Sequence, residues 1–392
     1  MKEMNSMKLV LVGAGGYGRR YVDYLLSQDL PGIQLEGIVE KFFETCPSKE
    51  KIEKAGVPVY DSLSAFYQER EADLVVIVTP SYLHCEQSIY ALQHNSYVLC
   101  EKPVAPTVEE AGKMLGAEKQ YGKFIAVGYQ WSFSEAIQTL KKDILNGKFG
   151  KPVTFKTIIS WPRKKTYYNR GNGWAGKISK DGIVILDSIA SNACAHYIHN
   201  MFFLLGEDME SSAFPTFVEA ECLRANAIET FDTCIMKMIM NNGAELYFAA
   251  THAADRVLEP EFVYEFEHAT IEFEAGNKSE IIARFTDGTV INYGNPFSDE
   301  LKKLRDCAEA VKSGETPMCT VRTALSHTRF INELHKHIVI SEFDETVKRL
   351  NGELVYVEGL YEKMLECYHT REFLADKGFF ATKKFKFNGD CE

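Results

Sequence analysis

The first residues able to do chemistry are Gly13-Ala14-Gly15-Gly16-Tyr17-Gly18. Gly13, Gly15 and Gly18 keep the GxGxxG spacing: one glycine for a tight turn, one where backbone approaches a pyrophosphate, one where a helix packs on its strand. Alone the pattern is weak. Here it follows the apolar run Leu9 to Val12 and opens a helix-like segment, Arg19 to Ser27, which is the context a dinucleotide loop needs. The helix would turn its N–H groups and positive dipole end toward the phosphates. Gly16 and Tyr17 belong to the same loop and count among the expected cofactor contacts. Glu40 stands 22 positions past Gly18, near the roughly 20 expected of an acid that accepts from a ribose hydroxyl. A carboxylate there repels a 2′-phosphate and favours NAD, while Lys41 beside it keeps NADP open. A glycine turn without a ligand and an ordinary charged strand end are the plainer readings of these residues.

The next group centres on Lys102. Thr79-Pro80-Ser81-Tyr82-Leu83-His84 and Glu101-Lys102-Pro103 each close an apolar run. In a doubly wound sheet, ligands sit beyond the carboxyl ends of the strands, so both segments fall at the cofactor edge. An ammonium group there can polarise a substrate oxygen or carry a proton, with a pKa lowered by burial. Pro103 fixes the turn and admits a cis bond. A solvated Glu–Lys pair at the start of a loop is the commoner alternative.

Positioning these groups requires strands. The runs at 8–12, 35–39, 73–78, 97–100 and 124–127 are short and lack polar alternation, as strands covered on both faces do. Helical patterns lie between them at 19–27, 86–93 and 108–119, the last behind the capping-box-like Thr107-Val108-Glu109-Glu110. This alternation predicts a doubly wound parallel α/β sheet over residues 1–128. The register changes near Gly128. A helix is expected over 136–145, ending at Asn146-Gly147. From Val153 the chain turns strand-rich, with long runs at 218–227, 230–240 and 244–251 and reversals at Asn241-Asn242-Gly243, Gly276-Asn277 and Asp287-Gly288. Residues 129–392 therefore read as an α+β domain with a mainly antiparallel open sheet of about five to seven strands. A largely helical segment, 183–205, interrupts it, and helices over 324–335 and 359–374 finish it. A length of 392 residues allows roughly two to three domains; the motif order favours two.

The glycine loop, Thr79-Pro80-x-x-x-His84, Glu101-Lys102-Pro103 and Gly128-Tyr129-Gln130 occur in the order seen in the Gfo/Idh/MocA oxidoreductases. The chain resembles that family over nearly its whole length. The resemblance implies a Rossmann domain followed by a mainly antiparallel α/β domain, and hydride transfer between nicotinamide and a carbohydrate hydroxyl carbon. It places Lys102 in the active site and Thr79, Pro80, His84, Glu101, Lys102 and Gln130 beside the cofactor. The family also carries an Asp-x-x-x-His pair on a helix shortly before Leu-Leu-Gly. This chain has Asn192 and His196 ahead of Leu204-Leu205-Gly206, so His196 matches and the aspartate is replaced. Four apart on a helix, the two share a face. Asparagine binds sugar hydroxyls as donor and acceptor but holds no proton and no charge. Asp187, nine residues before His196, is too far along a helix to take that place on the same turn. His196 is implied as general base; outside the family spacing it would read as a core histidine.

Trp161, Arg163, Tyr167, Tyr168, Arg170, Trp174 and Lys177 form a neighbouring cluster whose aromatic faces and cations suit a sugar or a carboxylate. Arg163, Tyr168 and Trp174 join Lys102, Asn192 and His196 as expected substrate contacts; a solvated loop weighs equally. No metal is expected, because nothing completes a ligand set around His199, and His335 and His337 face different ways on a helix. The balance of 44 basic and 55 acidic residues, net −11, argues against nucleic acid. Its nearest basic group is Lys377, Lys383, Lys384 and Lys386. No run approaches the ~18 apolar residues of a membrane span, and the polar opening residues carry no signal core. Ten scattered cysteines without a CxxC pair read as reduced, buried thiols of a cytoplasmic protein. The open sheet face suggests a homo-oligomer. Two rivals to a sugar dehydrogenase stay open: a glycosidase of the same family that oxidises C3 transiently, and a nicotinamide-sensing regulatory protein.

Overall fold

The computed structural model describes residues 6–389, apart from 28–29, 171–172 and 277–278. The chain forms two compact units: Met1–Phe133 with Glu300–Leu325, and Ser134–Asp299 with Ser326–Glu392.

In the first unit β1 (Met7–Val12), β2 (Ile33–Val39), β3 (Val59–Tyr60), β4 (Leu74–Ile77), β5 (Tyr97–Cys100) and β6 (Ile125–Val127) form one sheet in the order β3-β2-β1-β4-β5-β6. Every pairing is parallel. Residues 9–12, 74–77 and 125–127 are buried throughout, which is why their sequences show no polar alternation. β3, two residues long, has no such run and was not expected. The strand order reverses between β1 and β4, the point at which such sheets open a ligand crevice. Thr107 caps the helix Val108–Tyr121 by accepting from the Glu110 N–H, 3.2 Å.

The segment 300–325, assigned by its place in the sequence to the C-terminal domain, belongs to this first unit. The Val127 N–H donates to the Cys319 carbonyl at 2.8 Å, and the helix Lys302–Ser313 buries Lys303, Leu304, Cys307 and Ala308. The N-terminal part of the unit also runs on from 128 to Phe133. Long-range hydrogen bonds of this kind leave no local sequence signal.

The second unit is built on a sheet of ten strands. In chain order these are β7 (Pro152–Ser160), β10 (Pro215–Arg224), β11 (Thr233–Met240), β12 (Glu245–Thr251), β13 (Leu258–Phe266), β14 (Ala269–Glu274), β15 (Ile281–Phe285), β16 (Val290–Gly294), β17 (Ile340–Glu342) and β20 (Lys384–Asn388). The small pairs β8 (Ser179–Lys180) with β9 (Ile183–Val184) and β18 (Lys348–Asn351) with β19 (Leu354–Val357) stand apart. The order is β16-β15-β14-β13-β7-β12-β11-β10-β17, with β20 also on β10. β12–β7 and β10–β17 pair in parallel and the rest antiparallel, so the sheet is mixed, mainly antiparallel and larger than five to seven strands. The turns after Asn241 and Asp287 form as expected, with Gly243 and Gly288 at positive φ. The reversal at Asn277 lies outside the described residues. Segment 183–205 is less helical than its apolar content suggests: β9, then a wide π turn Ile189–Ala193, then the helix Ala195–Leu204. One side of the sheet packs Ile158, Leu223, Ile235 and Tyr247 against Leu360, Met364 and Phe373. The nine described cysteines are buried and form no disulfide, and Cys391 lies outside the described residues. No described helix is long and apolar enough to cross a membrane.

Candidate active site

The loop after β1 owes its shape to its glycines. Gly13 has φ +94°, and a Cβ there would stand 2.9 Å from the Val78 carbonyl oxygen; one on Gly18 would stand 2.1 Å from the Gly13 oxygen. These two glycines are required by the packing of helix on strand. A Cβ on Gly15 or Gly16 would meet nothing within 4 Å, so the protein leaves that side of the loop open. Among the described residues, the N–H groups of Gly15, Gly16 and Tyr17 donate to no other group of the protein. Unspent donors at the start of the helix Gly18–Ser27 fit a pyrophosphate. The Glu40 carboxylate accepts from the Ala14 N–H at 2.9 Å and the Phe42 N–H at 3.0 Å. Each oxygen keeps a lone pair for a ribose hydroxyl. Lys41 is exposed, its Nζ 5.9 Å from the centre of the Phe42 ring. The residues of this edge fit NAD.

Lys102 lies two positions beyond β5, and the Lys102–Pro103 peptide is cis. Glu101 is no surface partner for it. Its side chain is 8% exposed, accepts from the Tyr21 hydroxyl at 2.7 Å and pairs with Lys303, whose own side chain is 0% exposed. Lys303 also donates to the Gly128 carbonyl at 3.3 Å. The backbone at 128 presses on the carboxylate closely enough that a Cβ there would stand 2.8 Å from it. Lys303 escaped the sequence reading; the available signal was a lysine in helical phase with the apolar Cys307 and Ala310. His84 is buried, with Nδ1 2.8 Å from the Pro103 oxygen and Nε2 2.8 Å from the Thr79 oxygen. Burial outweighs these two acceptors and lowers its pKa. It stitches the two cofactor-edge loops together. Thr79 donates to Gln87 at 2.6 Å, and the Tyr17 hydroxyl reaches Gln130 at 3.4 Å. Burial, then Glu101, hold that hydroxyl well above the usual range for tyrosine. Pro80 sits half-buried ahead of the turn 81–83.

In the second unit, His196 falls in the first turn of the helix Ala195–Leu204, and Asn192 in the π turn before it. The Cys194 N–H reaches back five residues to the Ile189 carbonyl at 2.8 Å, so the two side chains are not on one regular α-helix. This wide turn also brings Asp187 into the picture: its Oδ1 accepts from Asn192 Nδ2 at 2.8 Å and its Oδ2 from the Gly176 N–H at 2.7 Å. The expected aromatic and cationic cluster is assembled. The Arg163 guanidinium lies 5.0 Å and that of Arg170 3.6 Å from the Tyr167 ring centre, and Arg170 is 4.8 Å from Trp174. Lys177 instead pairs with Glu229. Tyr168, Asp187, Thr230 and His252 line a small pocket. His252 escaped the sequence reading because it follows β12 like any strand end. Its Nδ1 lies 2.8 Å from the Trp161 carbonyl. Burial, and then Arg163, push its pKa down to about 3. It is therefore neutral, donates through Nδ1 and carries a bare lone pair on Nε2.

The fold of the first unit and its glycine loop fit a nucleotide-binding protein. Residues 7–129 match the family model described as oxidoreductase family, NAD-binding Rossmann fold. This domain is thus similar to the nucleotide-binding domain of the Gfo/Idh/MocA oxidoreductases. It is 32% identical over 160 residues to inositol 2-dehydrogenase of Mycolicibacterium smegmatis, covering 40% of this chain and 45% of that one. It is 30% identical over 153 residues to 2,7-anhydro-N-acetylneuraminate hydratase of Escherichia coli, covering 38% of each. The matched stretches thus span less than half the length of these curated relatives. The fold is also similar to that of the WlbA dehydrogenase from Bordetella pertussis in complex with NADH and UDP-GlcNAcA. The TM-score is 0.68 at 22% identity, over 84% of this chain and 96% of that one.

Proposed function

We propose that the protein is an NAD-dependent oxidoreductase moving a hydride between nicotinamide and a secondary hydroxyl carbon of a sugar, inositol or sugar derivative. The observation that carries the reading is a lysine just beyond β5, at the carboxyl edge of the same sheet whose glycine loop fits NAD. NAD bound on that edge supplies the hydride acceptor. Lys102 Nζ donates to the substrate oxygen and stabilises the charge that develops there. A ring nitrogen of His196 takes the hydroxyl proton, a task best served by a pKa near the working pH. Asn192, Arg163, Tyr168 and Trp174 bind the remaining hydroxyls and ring faces. The likeness to an inositol 2-dehydrogenase supports a polyol or sugar as substrate.

The likeness to a protein named as a hydratase favours one second reading, in which oxidation is transient and the cofactor ends each cycle unchanged. A screen of inositols, hexoses, uronates and amino sugars, each also as its aryl glycoside, separates the two. Net NADH or NADPH formation from a free sugar or inositol is expected. Cleavage that needs NAD and leaves no net NADH would establish the second reading. NAD binding with no compound changed makes the protein a sensor.

A further inference from the structure

We propose that Asp187 is a positioning residue, and that Asp187 and Asn192 together replace the single carboxylate that the family spacing puts at 192. The proposal rests on the reading of Asn192 and His196 as site residues. Asp187 Oδ1 and Asn192 Nδ2 are 2.8 Å apart. A carboxylate only accepts, so the amide must present its NH2 to Asp187 and cannot flip without setting two oxygens against each other. Asn192 Oδ1 is thereby turned to the opposite side as an acceptor of fixed direction. That is the hydrogen-bonding half of what an aspartate at 192 would offer, with the charge standing one contact behind it.

Asp187 is itself held on all sides. Its N–H donates to the Lys177 carbonyl at 2.9 Å, its carbonyl accepts from Thr230 Oγ1 at 2.5 Å, and its Oδ2 accepts from Gly176 N–H. The following residue, Ser188, caps the π turn that carries Asn192: Ser188 Oγ accepts from Ser191 N–H at 3.2 Å, and Ser191 Oγ from Ser188 N–H at 2.7 Å. One rigid segment thus carries both the carboxylate and the amide it orients.

A reciprocal exchange tests this. Asn192→Asp alone sets two carboxylates in contact, which raises the pKa at which the pair loses its shared proton. The stability of that variant is intact while the pair is protonated and is lost as pH rises through the raised value. With Asp187→Asn added, the amide at 187 donates to the carboxylate at 192 and its oxygen still accepts from Gly176. Wild type, both single variants and the double variant are melted from about pH 5 to pH 8 and assayed on the sugar and inositol panel. Asn192→Asp is expected to melt several degrees below wild type at the alkaline end only, and to lose roughly tenfold or more in turnover. The double variant should regain both. Asn192→Asp with wild-type melting and turnover at every pH overturns the proposal, as does a double variant no better than its parents. A wild-type protein that binds NAD but changes no panel compound removes the underlying reading, and the proposal with it.

Discussion

Each unit buries a carboxylate in its polar region, and the two are answered differently. Glu101 meets a full cation, Lys303, together with the Tyr21 hydroxyl. Asp187 accepts from two neutral donors, the Gly176 N–H and the Asn192 amide. His252 in the same unit is likewise neutral and bonded through one nitrogen to the Trp161 carbonyl. The first arrangement cancels charge in place and fixes the chain just ahead of Lys102. The second spreads charge through hydrogen bonds from neutral donors. It also leaves the Tyr168 hydroxyl and His252 Nε2 as buried polar atoms with no partner among the described residues. The first is scaffold; the second is a surface still able to bond a ligand.

The largest effect expected from breaking this contrast comes from Lys303→Met. Glu101 would remain buried without its cation, and removing one partner of such a pair costs about 3–5 kcal/mol. Denaturant unfolding measures it, and Glu101→Gln in the same protein should recover much of the loss. A loss below about 1 kcal/mol, the scale of an exposed pair, would remove the contrast. A smaller, pH-dependent effect is expected at His252. Its folded pKa of about 3 lies below the ordinary 6.5 of the unfolded chain. Its contribution is therefore whole above about pH 6.5 and lost at roughly 1.4 kcal/mol per unit as pH falls toward the folded value. His335, pushed by burial to about 4, acts with the same sign, so the measurement is the difference in acid unfolding between wild type and His252→Gln. Identical acid dependence in both proteins would place the effect elsewhere.

The nucleotide-binding sheet was legible because parallel strands covered on both faces must be continuous apolar runs, as Leu74–Ile77 is. β13 was passed over even though Leu258–Phe266 alternates its buried residues with Glu259, Glu261 and Glu265, the period-two pattern of a strand covered on one face. Its pairing with β7, about a hundred residues earlier, is a tertiary fact. The site divides the same way. Gly13, Gly18 and Lys102 announce themselves by local spacing, whereas Lys303 reaches Glu101 from 202 positions away. On a regular helix Asp187 would stand too far from His196 to share its turn. The π turn Ile189–Ala193 changes that geometry, and no composition or periodicity marks it.

We propose that Lys102 serves the chemistry and not the binding of NAD. The direct measurement compares NAD affinity and NADH formation in wild type and Lys102→Met, using the panel compound that wild type oxidises fastest. NAD affinity within about threefold and turnover lower by on the order of a hundredfold or more are expected. Wild-type turnover in Lys102→Met would contradict the proposal.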